Sequence, residues 1–479
     1  MIVPDWLDRA AGVRPEHPAL VTPEETLSFA ALAARVASRT RGLRAAGVTA
    51  GTHVGALLPN GAALVELVHA VPRLGATLVL LDPRGTPAEI ARQVRRAGVR
   101  LVVADETTRA AAAGVDVDVV VGPLADPGVR VDDPPPLLDL AAPHTVVFTS
   151  GTAGDAKPVV LTAGNHWWSA AGSAARLGAH ADDRWLACLP CWHVGGLAIL
   201  LRSAMYATTV VLHAGFRVEA VERALHEDGI TMVSLVPTAL GRLRATRAPA
   251  RLRCALVGGA AASIDLLREA HAHGWPVAPT YGCTEAASQI ATAAPGDPRG
   301  LAGTVGLPLL PTRVRIVRAD DTVAGPGETG GIDVSGPTVT PGTLDERGTL
   351  VPPALDGWLR TGDLGSLDPD GALRVLGRRD DVIVTGGENV VPQEVEGVLA
   401  SLPGVAEIAV AAVADPEWGH VVAAWVVPQP GAVPTLDALR AAARARLAPH
   451  KLPRRLYLVA ALPRTAAGKV RRAALRAAG

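Results

Sequence analysis

Short, unbroken apolar runs recur along most of the chain and alternate with longer stretches whose apolar positions fall at helical spacing. Residues 145–148, 209–212, 232–236, 255–257 and 277–279 are runs of the first kind. Such runs, without polar alternation, are what strands buried on both faces require. Residues 217–228 and 264–273 carry the helical pattern. Strands alternating with helices predict βαβ units and parallel sheets. From about Thr312 the texture changes to shorter strands punctuated by Gly, Pro and Asp turns, as at 325–331 and 368–371. A βαβ-like segment follows Gly377 and ends in an Ala/Arg tail. The pattern places boundaries near residues 310 and 380. The Pro-rich 133–136 reads as a surface connection, and no fixed-period repeat or heptad run is present.

The longest apolar stretch, 194–212, approaches bilayer length, but Arg202 lies near its middle. A mid-membrane Arg costs at least ~2.5 kcal/mol, so no membrane span is expected. Met1 to Ala10 carries Asp5, Asp8 and Arg9 where a signal peptide needs an apolar run. Four cysteines in 479 residues form no disulfide framework. Cys188 and Cys191 make a lone CxxC without a second pair at zinc spacing, which reads as buried thiols. A cytoplasmic chain is expected.

Composition removes other classes. Lys plus Arg is 46 and Asp plus Glu is 46, so no general field favours nucleic acid or an anionic membrane. Aromatics at 3% leave few platforms for stacking bases. No nucleic-acid partner is expected, and homo-oligomerisation stays open. Of the basic residues only Lys157, Lys451 and Lys469 are lysines. A lysine kept in a chain that otherwise uses Arg marks a place where a compact charge on a flexible stem is needed.

Candidate chemistry lies in five segments. Thr149-Ser150-Gly151-Thr152-Ala153-Gly154-Asp155-Ala156-Lys157 follows a strand-like run. Its hydroxyls, flexible glycines and lysine suit a phosphate cradle, although it is no Walker A loop. In Tyr281-Gly282-Cys283-Thr284-Glu285 the ring suits a purine face, the Thr hydroxyl a phosphate and the Glu a Mg²⁺. Magnesium needs only one or two carboxylates beside substrate phosphates. Trp358-Leu359-Arg360-Thr361-Gly362-Asp363 offers an acid that could accept ribose hydroxyls. The fourth runs from Gly377-Arg378-Arg379-Asp380-Asp381 to Gly386-Gly387, and the fifth is Pro463-Arg464-Thr465-Ala466-Ala467-Gly468-Lys469. Taken singly, several of these are ordinary turns. Lys451, in Pro449-His450-Lys451-Leu452-Pro453, fits contact with CoA phosphates or plain solvation.

In this order the five segments resemble the acyl-adenylate-forming superfamily of acyl-CoA ligases, luciferases and peptide-synthetase adenylation domains. The resemblance covers nearly the whole chain. It implies an α/β fold with a large N-terminal domain, 1–379, of two doubly wound α/β subdomains plus a β-rich subdomain. A small hinged α+β C-terminal domain, 380–479, would turn about Asp380. Two further segments narrow it. Leu189-Pro190-Cys191-Trp192-His193-Val194-Gly195-Gly196-Leu197 through Arg202 to Tyr206, and Leu252 through Gly258-Gly259-Ala260 to Tyr281 and Ser288-Gln289-Ile290, resemble o-succinylbenzoate–CoA ligases of the menaquinone pathway.

That resemblance implies ATP, Mg²⁺ and coenzyme A as cosubstrates and cofactor, with an aromatic dicarboxylic acid as the small-molecule substrate. Lys469 would reach between carboxylate and α-phosphate, Glu285 hold Mg²⁺, and Thr284 bind the α-phosphate. Tyr281 and Gly282 would cover adenine beside Gly259 and Ala260, and Asp363 with Arg378 would hold the ribose. Thr149, Ser150, Gly151, Thr152, Gly154 and Lys157 would cradle phosphate, and Gly386 and Gly387 would line the pantetheine channel. His193 and Ser288 would line the acyl site. A buried anion needs a cationic partner, and Arg202 is the candidate. The sequence departs from the pattern at Ala153, where a second Thr is usual, at Ala156, where Pro is usual, and at Pro158, where Gly is usual. Another acyl- or aryl-CoA ligase is the runner-up. A homologue that binds nucleotide without catalysis is a further reading, which the two retained loop lysines oppose. A dinucleotide-dependent dehydrogenase is excluded by the lack of a Gly-x-Gly-x-x-Gly followed by an acid.

Overall fold

The computed structural model describes residues 1–479 except 123, 125–135, 150–155, 245, 354–355, 465–469 and 477–479. Two large sheets carry most of it. One has eight strands and five of them, Pro143–Phe148, Thr77–Leu80, His53–Leu57, Leu101–Ala104 and Asp118–Val121, run parallel side by side. Pro158–Thr162 and Gly342–Leu344 extend it antiparallel. The second has nine strands around a parallel core of Pro18–Val21, Thr209–Leu212, Arg184–Ala187, Met232–Leu235, Cys254–Val257 and Val277–Cys283. The apolar runs read from the sequence are these parallel strands. Thr77–Leu80, Thr209–Leu212, Met232–Leu235 and Cys254–Val257 are buried at every position, because helices cover both faces. The helices are locally encoded as well. Thr162 caps Ala163–Leu177 in a reciprocal box with Asn165, and Thr86 does the same with Glu89 for Pro87–Arg96.

The stretch 194–212 is helix Val194–Tyr206 followed by strand Thr209–Leu212, parted by Ala207 in the left-handed conformation at φ 56°. Among the described residues no helix is long and apolar enough to cross a membrane. The change of texture after Thr312 corresponds to an antiparallel four-stranded sheet of Arg313–Val317, Gly330–Ser335, Leu359–Leu367 and Leu373–Arg378. Beyond it, the hairpin Ile383–Thr385 and Glu388–Val390 leads into a three-stranded sheet of Val405–Asp415, Gly419–Pro428 and Arg455–Leu458. Only its last two strands form a βαβ unit, through helix Leu436–Ala443, and the first two are an antiparallel hairpin. The Ala/Arg tail closes on this sheet, with Leu475 buried and Arg472 donating to Glu396 at 2.7 Å. The expected plan of two doubly wound α/β units, a β-rich unit and a small α+β end is the fold observed.

Candidate active site

Open parallel sheets bind ligands beyond the carboxyl ends of their strands. Several candidate segments sit there. Thr149 follows strand Pro143–Phe148, Cys188 to His193 follow Arg184–Ala187, Gly258 to Ala260 follow Cys254–Val257, and Thr284 follows Val277–Cys283.

Val277–Cys283 continues four residues past the apolar run and folds back on Ser288–Thr292, with a bulge between Tyr281 and Gly282. Gly282 is required by that turn, since a Cβ there would lie 1.6 Å from the carbonyl oxygen of Ser288. Thr284–Ala286 forms a single 3₁₀ turn, and Thr340 N–H donates to the Glu285 carbonyl at 2.8 Å. Ala287 at φ 51° and Ser288 at φ 100° then occupy the left-handed region in succession. For side chains bearing Cβ this costs on the order of 1–3 kcal/mol each, and such strain gathers at functional sites.

The hydroxyl of Tyr281 donates to Oδ2 of Asp363 at 2.6 Å, and Nη1 of Arg378 donates to Oδ1 at 3.2 Å. Arg378 also donates to the Thr361 carbonyl at 3.1 Å. Gly362, at φ 76°, leaves room for that guanidinium, whose Nη2 would be 3.2 Å from an added Cβ. Burial and the Asp363 charge push the Tyr281 phenol well above its usual range, so it stays a donor. The three residues expected around adenine and ribose thus form one bonded cluster. Gly259, at φ 79°, and Ala260 lie exposed at the end of the neighbouring strand.

Glu285 stands beside this cluster. Among the described residues no group of three His, Cys, Asp or Glu side chains could hold a metal alone. One carboxylate next to a triphosphate fits Mg²⁺, which keeps substrate oxygens and waters as its other ligands. The Cys283 thiol is pushed well above its usual range by burial and by Glu285, which makes it a poor nucleophile.

Thr149 closes the base of the phosphate loop. Its N–H donates to the Lys157 carbonyl at 3.0 Å, and its hydroxyl accepts from Lys157 N–H at 3.3 Å. Lys157 is exposed. Ser150, Gly151, Thr152, Ala153, Gly154 and Lys469 lie outside the described residues. The departures at 156 and 158 are absorbed locally. The Ala156 carbonyl accepts from Arg96 at 3.1 Å, and Pro158 is the first residue of its strand, where the missing N–H is tolerated.

On the acyl side, His193 is half-buried at the N-cap of helix Val194–Tyr206. Its loop is tied down by Asn60, which the sequence reading overlooked. Asn60 donates to the carbonyls of Leu189 at 2.9 Å and His213 at 3.0 Å, and accepts from Cys191 N–H at 2.9 Å. Gly196 allows the helix to start against this loop, because a Cβ would meet the Pro190 carbonyl oxygen at 2.4 Å. Cys188 and Cys191 are buried free thiols, and burial pushes Cys188 up to about 12.

Arg202, two turns along the same helix, is 2% exposed. Its Nη2 donates to Ser169 Oγ at 3.0 Å and its guanidinium lies 5.9 Å from the Trp185 ring centroid. Nε has no hydrogen-bond partner, and among the described residues no carboxylate acts on the Arg202 charge. A buried guanidinium without a charge partner is costly to the fold. Ser169 Oγ in turn donates to the Ala287 carbonyl at 2.6 Å, next to Ser288.

The remaining candidates belong to the small C-terminal unit. Gly386 and Gly387, at φ 56° and 84°, are the two central residues of its hairpin turn. Gly386 rests against Trp418 and its N–H donates to the Trp418 carbonyl at 3.1 Å. Asp380 is exposed in the 3₁₀ turn between Arg378 and that hairpin. Lys451 is ion-paired with Glu394 at 2.6 Å.

The chain belongs to the AMP-binding enzyme family, whose profile matches residues 7–344, and the C-terminal domain of those enzymes matches residues 394–469. Within the family it belongs with the 2-succinylbenzoate–CoA ligases. That of Geobacillus kaustophilus (strain HTA426) is 41% identical over 479 residues, covering 99% of this chain and 97% of the relative. The o-succinylbenzoate CoA synthetase of Bacillus subtilis in complex with the acyl-adenylate intermediate OSB-AMP superposes with a TM-score of 0.92 at 36% identity, over 99% of this chain and 98% of the other. The same enzyme with ATP and magnesium ion gives 0.90 at 35% identity, over 99% of both chains.

Proposed function

We propose that this chain joins o-succinylbenzoate to coenzyme A at the expense of ATP, in menaquinone biosynthesis. The observation that carries the substrate is Arg202, a buried cation on the acyl side without an acidic partner among the described residues. A dicarboxylic acid would place one carboxylate there and leave the other for the reaction.

In the first step an oxygen of the reacting carboxylate bonds to the α-phosphorus, and the bond from that phosphorus to the bridging oxygen breaks, releasing pyrophosphate. The carboxylate needs no base, since its pKa lies near 4. Both reactants are anionic, so alignment and charge neutralisation carry the rate. Tyr281, Asp363 and Arg378 fix the nucleoside, Thr284 receives the α-phosphate, and Lys157 neutralises the leaving phosphates. Lys469 bridges the two reacting groups. Glu285 would hold Mg²⁺ beside the phosphates, and the ion would supply screening of their charge. In the second step the CoA sulfur bonds to the acyl carbon, the bond from that carbon to the AMP phosphate oxygen breaks, AMP leaves, and the thiol proton passes to solvent. We assign 1–379 and 380–479 as the two domains, with Asp380 the hinge that brings Gly386 and Gly387 to the thiol channel between steps. A cytoplasmic setting suits the four free thiols.

The test is AMP release with ATP, Mg²⁺ and CoA against o-succinylbenzoate, benzoate, a medium-chain fatty acid and mixed amino acids. Selective release with o-succinylbenzoate and its CoA thioester by mass is expected, and release with another acid alone overturns the substrate. Lys469→Ala should abolish adenylate formation yet spare thiolysis of supplied acyl-adenylate.

A further inference from the structure

Ser169 lies inside helix Ala163–Leu177 and is 3% exposed. A serine in mid-helix ordinarily faces water or bonds back to its own helix. This one bonds outward at both ends. Its oxygen accepts from Arg202 Nη2 at 3.0 Å, and its proton goes to the Ala287 carbonyl at 2.6 Å. The direction is fixed by chemistry, because a guanidinium only donates and a carbonyl only accepts. Arg202 and Ala287 are themselves 2% and 1% exposed, so water does not substitute for either bond.

The far end of this relay is the strained corner. Ala287 and Ser288 hold φ 51° and 100°, and Ala287 N–H donates to the Thr284 carbonyl at 3.1 Å. The Ser169 hydroxyl is therefore one of the constraints keeping the Thr284–Glu285 turn in its left-handed continuation. The near end is the cation that reads the acyl carboxylate. Donating and accepting through one hydroxyl polarises both bonds, so disturbing one weakens the other.

We propose that Ser169 is a positioning residue that sets Arg202 and the Thr284–Ser288 corner in one register, so that carboxylate binding at Arg202 and Mg·ATP binding at the corner favour each other. This deepens the proposed function and rests on it for the identity of the acid. Coupling of this kind is reciprocal, since each ligand must raise the affinity of the other by the same factor.

The experiment is calorimetric titration of the full-length protein with o-succinylbenzoate, with and without Mg²⁺ and a non-hydrolysable ATP analogue. Wild type should bind the acid several-fold more tightly with the analogue present. Ser169→Ala should bring that ratio close to one and raise the KM for the acid about tenfold, the usual cost of one hydrogen bond to a charged group, with kcat little changed. Ser169→Thr, which keeps the hydroxyl, should restore the ratio. A double-mutant cycle with Arg202→Met should be non-additive. A Ser169→Ala protein with wild-type coupling and KM overturns the proposal, and so does full additivity. Should Ser169→Ala fail to fold, Ser169→Cys carries the same comparison, since a thiol is a weak donor and acceptor. If wild type binds no o-succinylbenzoate, the substrate reading fails instead. Ser169 is then judged by the analogue alone, several-fold weaker in Ser169→Ala if the relay holds the corner and equal if it does not.

Discussion

Tyr281 and Asp363 stand 82 positions apart, and the tyrosine hydroxyl donates to Oδ2 of the aspartate at 2.6 Å. The bond joins the last turn of the nine-stranded sheet to the β-rich unit, and Arg378 completes it from the adjacent strand. The ring of Tyr281 is thereby held at a fixed angle, and Asp363 is presented with its charge partly satisfied. Tyr281→Phe keeps the ring and loses the tether, so KM for ATP should rise several-fold with little change in kcat. Asp363→Ala removes the acceptor for Tyr281 and for Arg378 together. Losing hydrogen bonds to a charged group costs about 1.5–3 kcal/mol, or roughly 10–100-fold in ATP-dependent pyrophosphate exchange. An Asp363→Ala enzyme as active as Tyr281→Phe would show that the carboxylate serves only the tether.

Arg202 is predicted to trade stability for recognition. A buried guanidinium that faces no carboxylate among the described residues costs the fold, while a ligand carboxylate would repay that cost only on binding. Arg202→Met, of similar length and apolar, should therefore raise the KM for o-succinylbenzoate by roughly 10–100-fold, as expected for a lost charged hydrogen bond. It should affect benzoate kinetics far less than those of the dicarboxylate, the residual effect coming through Ser169, and leave the melting temperature unchanged or higher. A clear drop in melting temperature would identify Arg202 as a structural residue held by Ser169 and Trp185.

What the sequence made legible was local or repetitive. Parallel strands announced themselves as apolar runs, and their ends were where Thr149, Gly259 and Thr284 were expected. Strand Thr209–Leu212 was legible as an apolar run, but the end of helix Val194–Tyr206 was not, because the chain turns at Ala207 with neither Gly nor Pro to mark it. The strand carrying Tyr281 looked shorter than it is, since its second half is polar and bulged. Asn60 and Ser169 gave no signal at all. A polar residue after a strand and a serine in a helix read as solvent-facing, and only the packing of distant elements turns them inward. The pairing of Tyr281 with Asp363 is of the same kind, a long-range contact without local pattern.

Three buried imidazoles give the fold a pH dependence of known sign. His144 stacks on Trp6 at 5.4 Å and meets His166 edge-on at 5.2 Å, and His166 bonds to Thr145 at 2.8 Å. Burial first, and the charges of Arg73 and His69 second, bring His69 and His144 down to about 3. Burial, His144 and Arg202 lower His166 likewise. The folded protein keeps these rings neutral where the unfolded chain, near 6.5, takes up protons. For His69 and His144 this stability is fully present above about pH 6.5 and is lost as pH falls from there toward 3, by about 1.4 kcal/mol per pH unit and ring, and His166 acts in the same direction. Urea melts at pH 7.5, 6 and 5 should show the steep decline. His144→Phe should flatten it, because Nδ1 of His144 has no partner to lose and the ring contacts can be kept. An unchanged slope in that variant would place the acid sensitivity elsewhere.

The two hairpin glycines should separate by severity and by half-reaction. Both have positive φ, 56° at Gly386 and 84° at Gly387, so a side chain at either carries the left-handed cost of roughly 1–2 kcal/mol. Their surroundings differ. A Cβ on Gly386 would lie 2.5 Å from Cε3 of Trp418, whereas one on Gly387 meets nothing within 4 Å. Gly386→Ala must therefore push the indole away, and the indole also stacks under Arg454, whose guanidinium is 4.0 Å from the ring centroid. A Cβ at Gly386 meets Trp418 first and one at Gly387 meets nothing within 4 Å, so adenylate formation should survive in both variants. Thiolysis of supplied acyl-adenylate by CoA should fall markedly in Gly386→Ala and only modestly in Gly387→Ala, as single-turnover measurements of each half-reaction would show. Equal losses in the two variants would mean that backbone conformation alone matters there. Loss of adenylation in Gly386→Ala would remove the hairpin from the thiol step and place it in the first.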